Sequence, residues 1–238
     1  MRFRRFIRQA HRWLGLLIGI QLLLWVTGGV VMSALRLEEV RGEHLAAKRV
    51  PPVLNAERPM VPMSDLLRRQ ADRAPTAVTL TSLLGRPVYR ITGAGKTWLT
   101  DAETGAPLPP VPQSMAEAVA RADYSGDAPL ESVEWVESTA TEIRGRELPL
   151  WRVTFGDDLG TALYVSPSTG DVVARRNNLW RIFDFVWMLH IMDYDEREDF
   201  NHPLLVAAAG TALLFVLSGL VMLFFSFRPS AAAAKPPA

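Results

Sequence analysis

Two stretches without a single charged side chain govern everything else in this sequence: residues 13–35 (WLGLLIGIQLLLWVTGGVVMSAL) and 203–227 (PLLVAAAGTALLFVLSGLVMLFFSF). Each exceeds the ~20 apolar residues that a helix needs to cross a hydrocarbon core of ~30 Å. Buried helices of soluble proteins seldom run so long. A cleaved signal peptide would carry a shorter apolar stretch, and Met32-Ser33-Ala34 is a poor cleavage site, so the first stretch reads as a retained anchor. Two crossings place both chain ends on one side. Arg2, Arg4, Arg5, Arg8 and Arg12 precede the first stretch, and Arg228 and Lys235 follow the second. The other flank of the second stretch is acidic, with Asp193, Asp195, Glu196, Glu198 and Asp199 against Arg197 alone. The Lys/Arg bias assigns both termini to the cytoplasm of a bacterial inner membrane, with the central residues in the periplasm.

The intervening chain contains one unit written twice. Residues 87–92 read PVYRIT and residues 149–154 read PLWRVT, and both alternate as half-buried strands do. Each is followed by a second strand (Thr97–Thr100, Ala162–Val165) and a turn with a Thr-Gly pair (Thr104-Gly105, Thr169-Gly170). Upstream lie strands at Ala77–Leu83 and Leu130–Glu137. Before those come helical patterns with Ser64 and Ser114 as N-caps, Ser64–Arg73 and Ser114–Ala122. The repeated order is helix, strand, strand, strand, in α+β style. Arginines 90 and 152 are expected on solvated strand faces, and the Thr-Gly pairs as turn chemistry.

Gly85-Arg86-Pro87-Val88-Tyr89-Arg90-Ile91 followed by Asp101-Ala102-Glu103-Thr104-Gly105 resembles the PepSY module. The second copy matches less fully, with Ser166 where the aspartate is expected. His11-Arg12-Trp13-Leu14-Gly15 resembles the opening of the PepSY-associated transmembrane family, as does Met188-Leu189-His190-Ile191-Met192-Asp193-Tyr194 before the last span. Larger members of that family have four spans. The expected organisation is therefore a basic N-terminus (1–12), a first transmembrane helix (13–35) and a linker (36–62). Two tandem PepSY-like units (63–110, 111–178), an amphipathic interfacial helix (179–195), a second transmembrane helix (203–227) and a disordered tail (228–238) complete it.

Composition removes several function classes. Net charge is +1 with 21% charged residues, which gives no footprint for a nucleic-acid partner. With no cysteine there is no disulfide, thiolate metal site or C-x-x-C-H haem attachment. No G-x-S-x-G, H-E-x-x-H, P-loop or Rossmann fingerprint occurs, so neither hydrolytic nor nucleotide-cofactor catalysis is indicated.

Four histidines remain. His44 lies in a polar stretch and reads as an ordinary exposed residue. His11 stands one turn before the first apolar stretch. His190 belongs to Trp180–Tyr194, which at about 22 Å as a helix is too short to cross and should lie at the membrane interface. There Phe183, Trp187, His190 and Tyr194 form one stripe. His202 immediately precedes Pro203, a suitable first helical residue. Ionisable groups at membrane level point to function, because leaving them unpaired is costly.

Imidazole nitrogen, aromatic cover and arginines are what a b-type haem requires. The resembled family includes a haem-carrying ferric-siderophore reductase. The resemblance therefore implies haem b held by His11, His190 and His202, and an electron-transfer role linked to ferric-siderophore reduction. A helix of 23 residues rises about 35 Å, so His11 cannot share an iron with His190 or His202. Either His190 pairs with His202, or a homodimer or membrane partner brings equivalent histidines together. Small residues on both spans suit close helix contact. A cofactor-free alternative is a membrane-anchored peptidase inhibitor, chaperone-like unit or accessory binding module. The partners expected are the lipid bilayer, a second copy, and a ferric chelate or periplasmic protein.

Overall fold

The computed structural model describes residues 2–48 and 58–227. Part of the 36–62 linker and the whole 228–238 tail lie outside the described residues. Helices are α1 (Arg2–Ala34), α2 (Leu37–Val40), α3 (Met63–Arg69), α4 (Gln113–Asp123), α5 (Asn178–Ile191) and α6 (Pro203–Ser226). Strands are β1 (Pro75–Leu83), β2 (Arg86–Gly93), β3 (Lys96–Asp101), β4 (Leu130–Val136), β5 (Leu150–Phe155), β6 (Ala162–Val165) and β7 (Val172–Arg176). They sort into two compact units: residues up to 35 with those from 182 onward, and residues 36–181.

The first unit is helical, and α1 and α6 are long and apolar enough to cross a membrane. They pack antiparallel: Phe3 meets Phe225, His11 meets Phe215 and Ser218, and Ile18 joins Ala208 and Ala212. Only 11% of the most apolar window of each helix is buried, unlike the core helix of a soluble protein. Leu17, Ile20 and Leu213 are among the large side chains left facing outward, an apolar surface that water would not tolerate and lipid requires. α5 lies along α1. The Gln21 side chain donates to the Leu189 carbonyl (3.2 Å), Trp25 Nε1 donates to the His190 carbonyl (2.8 Å), and Gly28 makes room for Val186. Thus α5 lies against residues 21–28, the middle of the uncharged run.

The second unit contains two antiparallel sheets, ordered β1-β2-β3 and β4-β5-β6-β7. In the first, Val78 pairs with Ile91 and Tyr89 with Thr100. Leu66 of α3 packs with Tyr89, Ile91 and Ala102. Both connections are two-residue turns at positive φ, Leu84-Gly85 (50° and 85°) and Ala94-Gly95 (48° and 73°), the twist that joins neighbouring strands tightly. In the second sheet, Val119 and Ala120 of α4 pack against Val153, Phe155 and Leu163.

The duplication carries into the turns. Gly105 N donates to the Asp101 carbonyl (2.9 Å) and Gly170 N to the Ser166 carbonyl (2.8 Å), with φ of 72° and 69°. The copies differ in one strand. β7 gives the second unit a fourth strand that the repeat pattern does not anticipate. In the first copy the same segment starts to pair with β3 (Leu108 N to the Leu99 carbonyl, 2.9 Å), but Pro107, Pro109, Pro110 and Pro112 remove the donors a strand needs.

Three local expectations are corrected. Ser64 and Ser114 do not cap their helices. Pro62 and Pro112 occupy the cap positions, and their carbonyls accept the first helical N–H groups, leaving each serine inside the first turn. Helix α3 is also shorter than Ser64–Arg73, giving way to a 3-10 turn at Ala71–Arg73. Arg90 is not a solvated surface group: half-buried, it pairs with Asp171 of the second copy's turn at 2.7 Å.

Candidate functional site

The helical unit holds three of the four histidines, in two kinds of environment. His11, on α1, is fixed on several sides. Its ring stacks on Phe215 with centroids 4.3 Å apart and planes 9° from parallel. Nδ1 lies 2.8 Å from Ser218 Oγ and 3.2 Å from the Phe215 carbonyl. The Ser218 hydroxyl itself lies 2.7 Å from that carbonyl, which can only accept, so its hydrogen is directed there. The Ser218 oxygen then accepts from His11 Nδ1, so that nitrogen is the donor of the pair. Gly219 completes the clamp: a Cβ there would stand 3.2 Å from His11 Cε1.

Depth along the helices matters. Ser218 is eight residues before Ser226, so His11 lies about 12 Å up α6 from its C-terminal end. The end of α6 therefore reaches past His11 toward Phe3.

His190 and His202 are held differently. Nδ1 of each is buried and has no hydrogen-bond partner among the described residues. His190 sits on the last turn of α5 with its ring tilted against Trp25, centroids 6.3 Å apart. His202 is the residue before α6, and its side chain makes no capping bond. The expected stripe of Phe183, Trp187, His190 and Tyr194 is cut short, because α5 ends at Ile191 and Met192 turns the chain at φ 57°. Tyr194 lies beyond the helix and is exposed. His11 and His190 are brought to separate levels: the fourteen α1 residues from His11 to Trp25 rise about 21 Å. They cannot bind one iron together.

The acidic run between α5 and α6 is folded around one of its own members. Buried Asp193 accepts backbone N–H groups from Asp195, Glu196, Glu198 and Asp199 at 2.9–3.2 Å. These donors, led by Asp199, hold its carboxyl down at about 2. Arg197 pairs with buried Asp184, and Trp187 Nε1 donates to the Arg197 carbonyl (3.2 Å). Asp193 is thus committed to the loop. Among the described residues no three or more His, Cys, Asp and Glu side chains converge on a metal site. His44 stands in a 3-10 turn of the other unit.

The sequence reading missed the partners of His11. Ser218 and Gly219 were legible only as small residues. The sequence carried little signal for them, because the Ser218 hydroxyl is satisfied by the Phe215 carbonyl of its own helix and does not call for a partner on α1.

The architecture defines a two-span membrane protein carrying an α+β domain of two antiparallel sheets. Over residues 8–235, essentially its whole length, the chain matches the PepSY-associated TM region, and it belongs to that family. No curated protein and no solved structure matches it significantly.

Proposed function

We propose that this protein is a b-haem-binding electron-transfer component of the bacterial inner membrane, linked to reduction of ferric siderophores or another ferric chelate. The observation that carries the reading is His11. An imidazole whose Nδ1 is held by a hydroxyl and a carbonyl and whose ring is stacked is oriented in the way outer partners orient a metal-ligating histidine. The buried, partnerless nitrogens of His190 and His202 fit the same chemistry at the other level. Haem b, when bound, supplies a reversible one-electron ferric/ferrous couple. The chain's residues hold it by His11 at one level and by His190 and His202 at the other, with Phe215 and Trp25 beside the rings.

Within one chain His11 has no second histidine at its level. A homodimer supplies one. Gly19, Gly29 and Gly210 have open space where a Cβ would stand, which favours close approach of a second copy. The arginine-rich start of α1 supports cytoplasmic termini and a periplasmic domain. The two sheets are read as tandem PepSY units. The test is the visible spectrum of purified, dithionite-reduced protein. Sharp α and β bands are expected; colourless, fully folded protein from haem-sufficient cells would contradict the proposal.

One observation favours a second role for the domain, as an inhibitory or chaperone-like binding module. A cavity of about 530 Å³ opens between the first sheet, α4 and the turn before β7, bounded by Leu83, Leu84, Val119 and the Arg90–Asp171 pair. Protection of a periplasmic protease substrate by the intact protein would support it; no effect on any protease tried would count against it.

A further inference from the structure

Arg2, Arg4, Arg5, Arg8 and Arg12 all lie on α1. No Asp or Glu occurs in residues 1–37 or 200–238, so neither spanning helix carries a side-chain carboxylate to neutralise them, and a second copy would bring none on these helices either. Among the described residues Arg4 and Arg8 make no ion pair. Among the described residues, the side-chain hydrogen bond of this arginine group is Arg12 to Gln9, at 2.9 Å.

Their surroundings at the end of α6 are apolar on one side. The Arg4 guanidinium lies 4.9 Å from the centre of the Phe225 ring, and Phe3 meets Phe225 edge-on at 6.1 Å. Phe225 belongs to the apolar run that continues to Phe227, and Leu220, Leu223 and Phe227 are exposed around it. These cations thus stand alongside lipid-facing hydrocarbon. Arg4, Ile7 and Arg8 of α1 and Met222, Phe225 and Ser226 of α6 line a cavity of about 290 Å³ that is open to the outside. It is cationic on one side and apolar on the other.

We propose that this cavity binds an anionic phospholipid, the phosphodiester paired with Arg4 and Arg8 and an acyl chain lying along Ile7, Met222 and Phe225. A guanidinium donates well to phosphate oxygens, which stand at the level where a spanning helix ends, and Arg4 and Arg8 have no ion-pair partner among the described residues. Phosphatidylglycerol-type lipid supplies the missing negative charge; a zwitterionic lipid carries its own cation and competes poorly. The proposal does not depend on haem.

The test measures binding of dioleoylphosphatidylglycerol and dioleoylphosphatidylcholine to the detergent-purified full chain. At least tenfold preference for phosphatidylglycerol is expected. The double variant R4Q/R8Q should weaken phosphatidylglycerol binding about 30-fold, while R36Q, outside the cavity, leaves it unchanged. Inorganic phosphate at millimolar concentration should not displace the lipid. Equal affinity for the two lipids in the unaltered protein overturns the proposal without any variant. Retention of full affinity by R4Q/R8Q, or displacement by free phosphate, overturns it as well.

Discussion

The two levels of the helical unit solve the same problem in opposite ways. At one, His11 arrives at its place with every contact supplied by α6: a stacking ring, a hydroxyl, a carbonyl and a glycine gap. At the other, His190 and His202 each bury a ring nitrogen that nothing in the described chain satisfies. A satisfied imidazole contributes to folding. A buried unsatisfied one costs about 1–3 kcal/mol until something binds it. The contrast teaches that burial alone does not define a ligand site; what the rest of the ring is doing does.

The sharpest way to break this contrast is to remove the prepared histidine. H11A should lower haem bound at that level at least tenfold, read as haem per polypeptide after purification. Next comes its positioning group. S218A leaves Nε2 in place but frees the ring, and second-shell losses of this kind typically cost 10–100-fold in affinity. Haem loss to apomyoglobin should accelerate about tenfold, with correct folding shown by an unchanged α1–α6 melting profile.

A smaller effect distinguishes the two environments in haem-free protein. Replacing His190 by leucine removes a nitrogen that has no partner, so H190L should leave stability unchanged or raise it by about 1 kcal/mol. H11L discards a bonded nitrogen and should lower stability by about 1–2 kcal/mol. Denaturant titration in detergent micelles reads both. Equal losses would erase the distinction.

The smallest effect is that of acid. Asp193 is held at about 2, below the ordinary aspartate value near 4, by the backbone donors of its loop. Because its folded value is depressed, its contribution is present above pH ~4 and is lost as pH falls toward 2. Amide exchange over residues 193–199 should therefore quicken between pH 4 and pH 2, and D193N should quicken it already at pH 6. The His11 level has no such carboxylate and should not respond.

Much of this architecture was legible in the sequence, for identifiable reasons. Uncharged runs longer than a bilayer leave few alternatives, and alternation in PVYRIT and PLWRVT located β2 and β5 to within two residues. Turn glycines Gly105 and Gly170 were visible because their backbone conformations exclude most other residues. Capping was misread, since Ser64 and Ser114 look like caps although each stands two residues beyond the proline whose carbonyl accepts the first helical N–H groups. β7 escaped because its existence depends on prolines absent from one copy and present in the other. Arg90 escaped because its partner, Asp171, is 81 residues away. The His11 clamp escaped for a similar reason: one-dimensional spacing cannot reveal which turn of α6 faces which turn of α1.

The most direct test of the whole account is haem per polypeptide in the unaltered protein and H11A, purified side by side from haem-sufficient cells. A stoichiometric, dithionite-reducible b-type haem in the first and a deficit of at least one haem level in the second is the predicted result. Identical ratios in the two, at any value including zero, would contradict it.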